Sequence, residues 1–479
     1  MSLKDRVVGS TLWSSFGNWS SQCFLLLVFV YLARELSPED FGLYAVVGIV
    51  IGLGQMLSNP GFSQAVVSIE RLDAVTRSTV FWTGLGLSTL LSFVALLSVV
   101  GLPNTLVSPD LSTLLLASIP MIILGTLANV PQALLMRKLL YKKIALVTLM
   151  ANVLSGCSAL LVAIQGYGVW ALVMQQYVLL SVTAIGMFLL CDWRPTWQWS
   201  SPRLSAILSQ GGHYFGISAL AYANRRLDNA LVGILFGVNL LGVYVIAKRI
   251  FLTLSDLLMK PFTQVALSAF SGVDRDIAKQ RHAFMRMTVM TSLITAPVFA
   301  GFIVVAPDIM SLVFGTKWDD AIPVLQLLCI AGILRGFSLL VVPFLTVIQR
   351  GKTAFFLHLA NTLGNFLAYL LFIPLGLMGI GLGFSVRAIV FFFITLALLQ
   401  VVAHLPALSV LRQLWPIYLS VVLMVMAESL VAAMVSAPLS LLELMAVVMA
   451  AAAAYFLCVS LLARRHVKEI GSMARSYVS

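Results

Sequence analysis

Long apolar stretches, separated by short polar or Gly- and Pro-containing turns, run along the whole chain. Most of them reach the ~20 residues that an α-helix needs to cross the hydrocarbon core of a bilayer. The pattern predicts fourteen transmembrane helices, at residues 8–33, 41–59, 80–101, 111–135, 144–165, 168–190, 211–236, 240–270, 287–306, 321–347, 354–374, 378–402, 417–435 and 441–462. The predicted fold class is therefore an all-α polytopic membrane protein with short loops.

The start of the second helix has the clearest local signal. Ser37 supplies a capping hydroxyl, and Pro38 fits the first turn of a helix. Glu39 and Asp40 place acidic side chains at the positive end of the helix dipole. We expect a tight turn on the extracytoplasmic side immediately before this helix.

Composition excludes a soluble fold. Of the 479 residues, 60% are hydrophobic and only 10% are charged, whereas about a quarter of the residues in soluble domains are charged. The cysteines are isolated and show no zinc-ligand spacing, and the sequence has no phosphate-binding loop, no His-Glu-x-x-His and no Gly-x-Ser-x-Gly. We therefore expect no metal, no cofactor and no enzymatic activity.

The basic residues predict an orientation in the membrane. Loops on the side of the N-terminus contain 21 of the 30 Lys and Arg residues, whereas the opposite loops contain two, Arg34 and Lys317. Because cytoplasmic loops collect Lys and Arg, both termini are predicted to be cytoplasmic. The net charge of +12 is explained in this way without a nucleic-acid partner.

The chain resembles itself at a period near 200 residues. Gly42-Leu43-Tyr44 matches Gly242-Val243-Tyr244, and Ala151-Asn152-Val153-Leu154 matches Ala360-Asn361-Thr362-Leu363. The matches occur in the same order after corresponding helices, which indicates an internal repeat.

The repeat predicts two pseudo-symmetric lobes of six helices each. We assign residues 1–200 to the N-terminal lobe, 201–405 to the C-terminal lobe, and 406–479 to two additional transmembrane helices and a basic cytoplasmic tail. An even number of helices in each copy places the pseudo-two-fold axis along the membrane normal. We expect a central cavity between the lobes and transport by alternating access.

Seven basic residues fall inside predicted helices, all in the second half of the chain. They are Arg225, Arg226, Lys248, Arg249, Lys260, Arg335 and Arg387. A charged side chain at the bilayer centre costs ~3 kcal/mol or more and usually faces a wet cavity or a partner. Only three acids, Asp228, Asp256 and Glu428, accompany them. The surplus of positive charge predicts an anionic substrate, and phosphate is a group that Arg binds through paired hydrogen bonds.

Structural explanations stay open for several of these charges. Asp228 lies three residues after Arg225, and Asp256 has the i,i+4 spacing of an ion pair with Lys260. Arg335 and Arg387 have no acid nearby in sequence, and they either line the cavity or extend towards the membrane surface.

Two further sets of side chains complete the predicted site. Asp228 and Glu428 are candidates for coupling transport to H⁺ or Na⁺, because intramembrane acids often have that role. Amide side chains offer a hydrogen-bonding wall of the cavity, with the candidates Asn18, Gln22, Asn152 and Asn361.

Four segments of the sequence carry a family resemblance. They are residues 32–44 (Leu-Ala-Arg-Glu-Leu-Ser-Pro-Glu-Asp-Phe-Gly-Leu-Tyr), 61–65 (Gly-Phe-Ser-Gln-Ala), 79–82 (Thr-Val-Phe-Trp) and 314–328 (Phe-Gly-Thr-Lys-Trp-Asp-Asp-Ala-Ile-Pro-Val-Leu-Gln-Leu-Leu). The chain resembles the bacterial Wzx-type polysaccharide flippases, especially their colanic-acid-like branch. That family belongs to the multidrug, oligosaccharidyl-lipid and polysaccharide exporter superfamily, whose two six-helix lobes agree with the repeat.

The resemblance implies a substrate and a location. The substrate is an undecaprenyl-pyrophosphate-linked oligosaccharide repeat unit, moved from the cytoplasmic to the outer leaflet of the bacterial inner membrane for exopolysaccharide or lipopolysaccharide assembly. The implied partners are membrane lipids, a polysaccharide polymerase and other assembly proteins. The resemblance also directs attention to the seventh helix, where we place the phosphate contact at Arg225 and Arg226.

Three alternatives stay open at this point. A peptidoglycan-precursor flippase also has fourteen helices and a basic cavity. A drug or cation antiporter of the same superfamily is expected to have a cavity rich in acids, which the surplus of bases disfavours. A membrane enzyme of envelope assembly, such as a polymerase, is disfavoured by the short loops.

Overall fold

A computed structural model of the chain describes residues 22, 24–69, 72–101, 108–271, 276–434 and 440–462. All regular secondary structure within these residues is helical, which confirms the predicted fold class. The described chain divides into two compact units, Met1–Gly242 and Val243–Ser479. The division into lobes at residues 200 and 405 rests on the sequence repeat and stays a prediction.

The helices of the first unit follow the predicted spans closely. They are α1 (Pro38–Ser58), α2 (Phe62–Ser68), α3 (Ala74–Gly101), α4 (Pro109–Ser118), α5 (Pro120–Leu127), α6 (Asn129–Arg137), α7 (Tyr141–Ile164), α8 (Trp170–Leu190) and the first part of α9 (Ser201–Ser271). The predicted fourth span, expected as one helix, consists of α4, α5 and α6. Its first break falls directly before Pro120, which has no backbone N–H to continue the preceding helix.

The start of α1 has the cap that the sequence predicts. The Ser37 hydroxyl accepts a hydrogen bond from the backbone N–H of Asp40 at 3.2 Å. The Asp40 carboxylate in turn accepts from the Ser37 backbone N–H at 2.9 Å. This reciprocal capping box satisfies two backbone donors and fixes the first residue of the helix.

Several clusters of buried apolar side chains fill each unit. In the first unit, Val47 and Ile51 of α1 pack with Leu114 of α4 and Ile122 of α5. Many other large apolar side chains are exposed on the outer faces of the helices, as a lipid environment requires.

The helices of the second unit form a core rich in phenylalanine. They are the second part of α9, α10 (Ile277–Ile309), α11 (Ala321–Ile333), α12 (Arg335–Val347), α13 (Gly351–Phe372), α14 (Gly376–Val402), α15 (Ala407–Met434) and α16 (Leu441–Leu462). Phe284 of α10 stacks on Phe344 of α12 with 4.5 Å between the ring centroids. Phe337 of α12 meets Phe392 of α14 edge to face at 5.0 Å. These contacts connect α10, α12 and α14.

Helix α9 is two helices joined at a glycine. Gly237 has φ 82° and ψ 177°, which interrupts the helix. A positive φ is accessible to glycine at little cost, because glycine has no Cβ. The break separates the predicted seventh and eighth helices at the position that the hydrophobic pattern gives.

The described residues contain ten helical stretches that are long and apolar enough to cross a membrane, and the pair α11 and α12, bent by 48°, adds an eleventh. Ser218–Thr263 has 46 residues and Gly351–Val402 has 52, about twice the ~20 residues of one crossing. Each is broken near its middle, at Gly237 and at the 3-10 turn Ile373–Leu375. With helical residues 24–35 at the end of the predicted first span, these stretches account for fourteen crossings.

Candidate functional site

The first part of α9 carries a cationic cluster that packs on α1. The hydroxyl of Tyr222 donates a hydrogen bond to the backbone carbonyl of Ile49 at 2.5 Å. Arg226 lies one helical turn after Tyr222 and approaches α1 at Gly48. We call Tyr222, Arg225, Arg226 and Asp228 the α9 cluster.

Two glycines on α1 form the surface on which the α9 cluster rests. A Cβ atom added to Gly52 would lie 3.0 Å from Cε2 of Tyr222, and one added to Gly48 would lie 3.9 Å from a terminal guanidinium nitrogen of Arg226. Gly48 and Gly52 are four residues apart, as are Tyr222 and Arg226, so each pair lies on one face of its helix. Small residues at this spacing allow membrane helices to approach closely.

The charged side chains of the α9 cluster differ in exposure. Arg225 is exposed, Arg226 is half-buried, and Asp228 is 3% exposed. A carboxylate oxygen of Asp228 accepts the backbone N–H of Asn229 at 2.9 Å. The cluster thus presents Arg225 and Arg226 outward while its acid is inside the fold.

A second cationic cluster lies in the second unit, on α9, α12, α13 and α14. The guanidinium of Arg335 lies over the ring of Phe251 at 5.5 Å, and that of Arg387 lies over the ring of Phe384 at 4.8 Å. The two rings contact each other edge to face at 5.9 Å between centroids. We call Arg335, Phe251, Phe384 and Arg387, together with Asn361, the aromatic-arginine cluster.

Both arginines of this cluster lie away from the ends of their predicted spans. Arg387 lies near the middle of α14, and Arg335 lies at the bend in the middle of the predicted tenth span. A terminal nitrogen of Arg387 donates a hydrogen bond to the side-chain oxygen of Asn361 on α13. The Nε atoms of both arginines are buried and have no hydrogen-bond partner within the described part of the chain. Both side chains are therefore held inside the helical bundle of the second unit.

The remaining predicted bases occupy other environments. Lys260 pairs with Asp256 at 2.9 Å, as their i,i+4 spacing predicts, and both side chains are about half exposed. The Lys248 ammonium lies 5.8 Å from the centre of the Tyr244 ring. Arg249 is exposed.

The other predicted site residues are scattered. Glu428 of α15 is 1% exposed and faces Gly301 of α10, where an added Cβ would lie 3.3 Å from a carboxylate oxygen. Asn152 of α7 is half-buried, Gln22 is exposed, and Asn18 lies outside the described residues. Within the residues that the structure describes, no group of three or more His, Cys, Asp or Glu side chains is arranged to hold a metal ion.

Sequence reasoning identified Asn361 but missed the aromatic residues of both clusters. Tyr222 is close to Arg225 in the chain, and the Gly48-x-x-x-Gly52 spacing was a usable signal for a close helix contact. Phe251 and Phe384 had no such signal, because phenylalanines in an apolar helix are indistinguishable from lipid-facing residues before the helices are assembled.

Solved structures of two transporters have a similar fold. The chain superposes on the lipid II flippase MurJ in an inward closed conformation with a TM-score of 0.79 at 15% identity, covering 95% of this chain and 99% of that one. An inward-facing MATE family multidrug resistance transporter of the MOP superfamily matches with a TM-score of 0.59 at 18% identity, over 79% of this chain and 95% of that one. At these identities the likeness shows the fold alone.

Curated relatives match over most of the sequence. The lipopolysaccharide biosynthesis protein WzxC of Escherichia coli (strain K12) is 25% identical over 401 residues, which is 81% of this chain and 80% of the relative. The succinoglycan biosynthesis transport protein ExoT of Rhizobium meliloti (strain 1021) is 26% identical over 325 residues, which is 68% of this chain and 66% of the relative. The resemblance to Wzx-type polysaccharide flippases is thereby confirmed.

A family model settles the assignment. The model described as "Polysaccharide biosynthesis protein" matches residues 31–323, which is more than half of the chain. The match includes the capping turn before α1, the α9 cluster and the segment that begins at Phe314. The protein is therefore an integral membrane protein that belongs to the polysaccharide biosynthesis protein family.

Proposed function

We propose that this protein moves undecaprenyl-pyrophosphate-linked oligosaccharide repeat units from the cytoplasmic to the outer leaflet of the bacterial inner membrane, by alternating access. The family match and the names of the relatives support transport in polysaccharide biosynthesis. The basic residues of the predicted cytoplasmic loops support insertion in the inner membrane with both termini in the cytoplasm. The relatives named here are biosynthesis and transport proteins, which favours a transporter over an enzyme.

The single observation that carries the proposal is the α9 cluster. Arg225 and Arg226 place two guanidinium groups near the middle of a membrane-spanning helix, where charged side chains are costly and often functional. Each guanidinium offers a planar fork of N–H donors that matches phosphate oxygens. We assign the pyrophosphate contact to these two arginines. Lys248 and Arg249, which lie in the second unit, stay sequence-based candidates for contact with the substrate.

The other parts of the substrate call for different groups. Sugar hydroxyls donate and accept hydrogen bonds, so amide side chains such as those of Gln22 and Asn152 suit them. The polyprenyl chain stays in the bilayer, in contact with the exposed apolar helix faces. Asp228 and Glu428 are our candidates for coupling transport to H⁺ or Na⁺.

Two other transport functions receive less support. The likeness to MurJ at 15% identity concerns the fold, whereas the family match and the relatives concern polysaccharide biosynthesis. A cation antiporter is expected to place acids in its cavity, but the seven intramembrane bases outnumber the three acids. We therefore favour export of an oligosaccharide over both.

The test is to measure the pool of lipid-linked oligosaccharides in cells with and without the protein. Extracted lipids are identified by mass spectrometry, and the side of the membrane that carries the glycan is determined with an impermeant probe. We expect complete repeat units to accumulate on the cytoplasmic face of depleted cells. An unchanged pool would exclude the proposal, and a complete unit on the outer face that is not polymerised would point to an enzyme instead.

A further inference from the structure

Two like charges lie next to each other in the aromatic-arginine cluster. Arg335 and Arg387 are near enough for Arg335 to repel Arg387 electrostatically. They are connected through the touching rings of Phe251 and Phe384. Aromatic faces stabilise a guanidinium only partly. The arrangement therefore calls for negative charge to offset the repulsion.

The protein supplies little of that negative charge. Asp256 attracts Arg335, but its carboxylate already binds Lys260 at 2.9 Å. Asn361, which receives the hydrogen bond from Arg387, is neutral. Among the residues that the structure describes here, Arg335, Arg387 and Lys260 thus share the carboxylate of Asp256, which is also half exposed to solvent, and Tyr369 adds an attraction to Arg387. Burying guanidinium groups without matching anions is expensive.

The same arginines have donors to offer. The Nε atom of each is buried and lacks a hydrogen-bond partner among the described residues. A buried donor that makes no hydrogen bond costs free energy, and a bound acceptor would recover it.

We propose that Arg335 and Arg387 form an oxyanion-binding site in the second unit, separate from the α9 cluster of the first. The ligand is a phosphate or carboxylate group, whose oxygens fit the guanidinium forks. Phe251 and Phe384 hold the two guanidiniums apart from lipid, and Asn361 orients Arg387. The next step rests on the proposed function. If the substrate is a lipid-linked oligosaccharide, the second site binds an additional negative group of it, such as the carboxylate of an acidic sugar.

Binding is tested on the purified full-length protein in detergent, without any transport assay. The α9 cluster is first neutralised with Arg225→Gln and Arg226→Gln. Sodium pyrophosphate or sodium glucuronate is then titrated at constant ionic strength, and the unfolding temperature is followed by the fluorescence of the nine tryptophans. We expect at least one of the two anions to raise the unfolding temperature in a saturable way, whereas chloride does not.

The variants locate the site. Adding Arg387→Gln should raise the half-saturating concentration about tenfold or more, because a charged bidentate contact is lost. Arg387→Lys keeps the positive charge but loses the planar pair of donors, so it should weaken binding to a smaller extent. This variant serves as the test if Arg387→Gln does not fold. Arg412→Gln, at an exposed arginine of α15 in the same unit, is the matched control and should leave the titration within twofold.

The two anions distinguish between the two parts of the substrate that could supply the bound negative group. Preference for glucuronate would assign the site to an acidic sugar, and preference for pyrophosphate would assign it to the lipid phosphate. Absence of saturable binding of either anion, or binding that Arg387→Gln and Arg387→Lys leave unchanged, would overturn the proposal. Because the titration measures no transport, anion binding at Arg387 can be established even if the protein does not flip oligosaccharides. Equally, the flippase proposal can hold even if this site binds no anion.

Discussion

The α9 cluster and the aromatic-arginine cluster hold positive charge inside the membrane in different ways. In the first, consecutive arginines of one helix lie beside a buried aspartate, and Tyr222 anchors that helix to α1. In the second, single arginines from α12 and α14 are separated along the chain and are stabilised by aromatic rings and one amide. The first cluster depends on how closely two helices approach, and the second on how several helices converge.

This difference determines which substitutions should be damaging. Arg225 of the α9 cluster is exposed, and the support of the cluster comes from glycines that have no side chain to lose. Aromatic rings enclose the arginines of the aromatic-arginine cluster, so a substitution there changes the packing of the helices as well as the charge. Changes at the α9 cluster are therefore the cleaner test of transport.

The largest effect is expected from Arg225→Ala combined with Arg226→Ala. Losing both guanidiniums removes the proposed pyrophosphate contact, and we expect polysaccharide export to fall by about 100-fold or more. Surface polysaccharide is quantified, and the amount of folded protein in the membrane is followed by size-exclusion chromatography of a fluorescent fusion. Double replacement by Lys, which keeps the charge, should retain part of the export. Normal surface polysaccharide in the Ala variant would remove the α9 cluster from the mechanism.

A smaller effect is expected from Gly52→Val. The new side chain would collide with Tyr222, whose hydroxyl is fixed to Ile49, and overpacking of this kind costs about 1–3 kcal/mol. Gly86→Val is the matched control, because a Cβ at exposed Gly86 of α3 meets nothing within 4 Å. Thermal unfolding in detergent compares the two. If both variants unfold at the same temperature, close approach of α1 and α9 is not what supports the cluster.

The smallest effect is expected from charges outside both clusters, such as Asp73 before α3. The hydroxyl and the backbone N–H of Thr76 hold the pKa of Asp73 below its ordinary value, and Arg203 adds to this effect. Because the pKa is lowered in the folded protein, the stabilisation is complete above the ordinary pKa of the carboxyl group. It is lost as the pH falls through the lowered value.

This pH dependence gives a direct measurement. The Asp73 side chain is 43% exposed, so solvent screening limits its contribution, and Thr76→Val should cost only about 0.5 kcal/mol at pH 7. The difference in unfolding temperature between Thr76→Val and the unchanged protein should shrink as the pH falls below the ordinary pKa of an aspartate and through the lowered pKa of Asp73. A difference that grows towards acid pH would contradict the assigned cause of the lowered pKa.

Much of the fold could be predicted because membrane helices are defined locally. The capping box at Ser37 and Asp40 depends on four consecutive residues, and the structure has it as expected. The ion pair of Asp256 and Lys260 is likewise set by helical spacing alone. The breaks inside the fourth span were missed, because Pro120 in an apolar run does not reveal by itself whether the helix kinks or ends.

The site could be predicted in its charged part and at one amide, Asn361. Charges in apolar helices stand out, so Arg225, Arg226, Arg335 and Arg387 were found from the sequence. Their partners could not be found in this way, because the contact of Arg335 with Phe251 joins residues 84 positions apart and depends on helix packing. Which charged side chains contact the substrate depends on how the helices pack together, and a short stretch of sequence does not contain that information.

The most direct test of the central claim is translocation by the purified protein in proteoliposomes that contain an undecaprenyl-pyrophosphate-linked oligosaccharide. An impermeant glycosidase digests only glycans that reach the outer leaflet. With the unchanged protein, we predict that digestion proceeds to nearly the whole pool, whereas with Arg225→Ala and Arg226→Ala it stops at the share that was outside at the start. Digestion that stops at this same share with the unchanged protein would contradict the assignment as an oligosaccharide flippase.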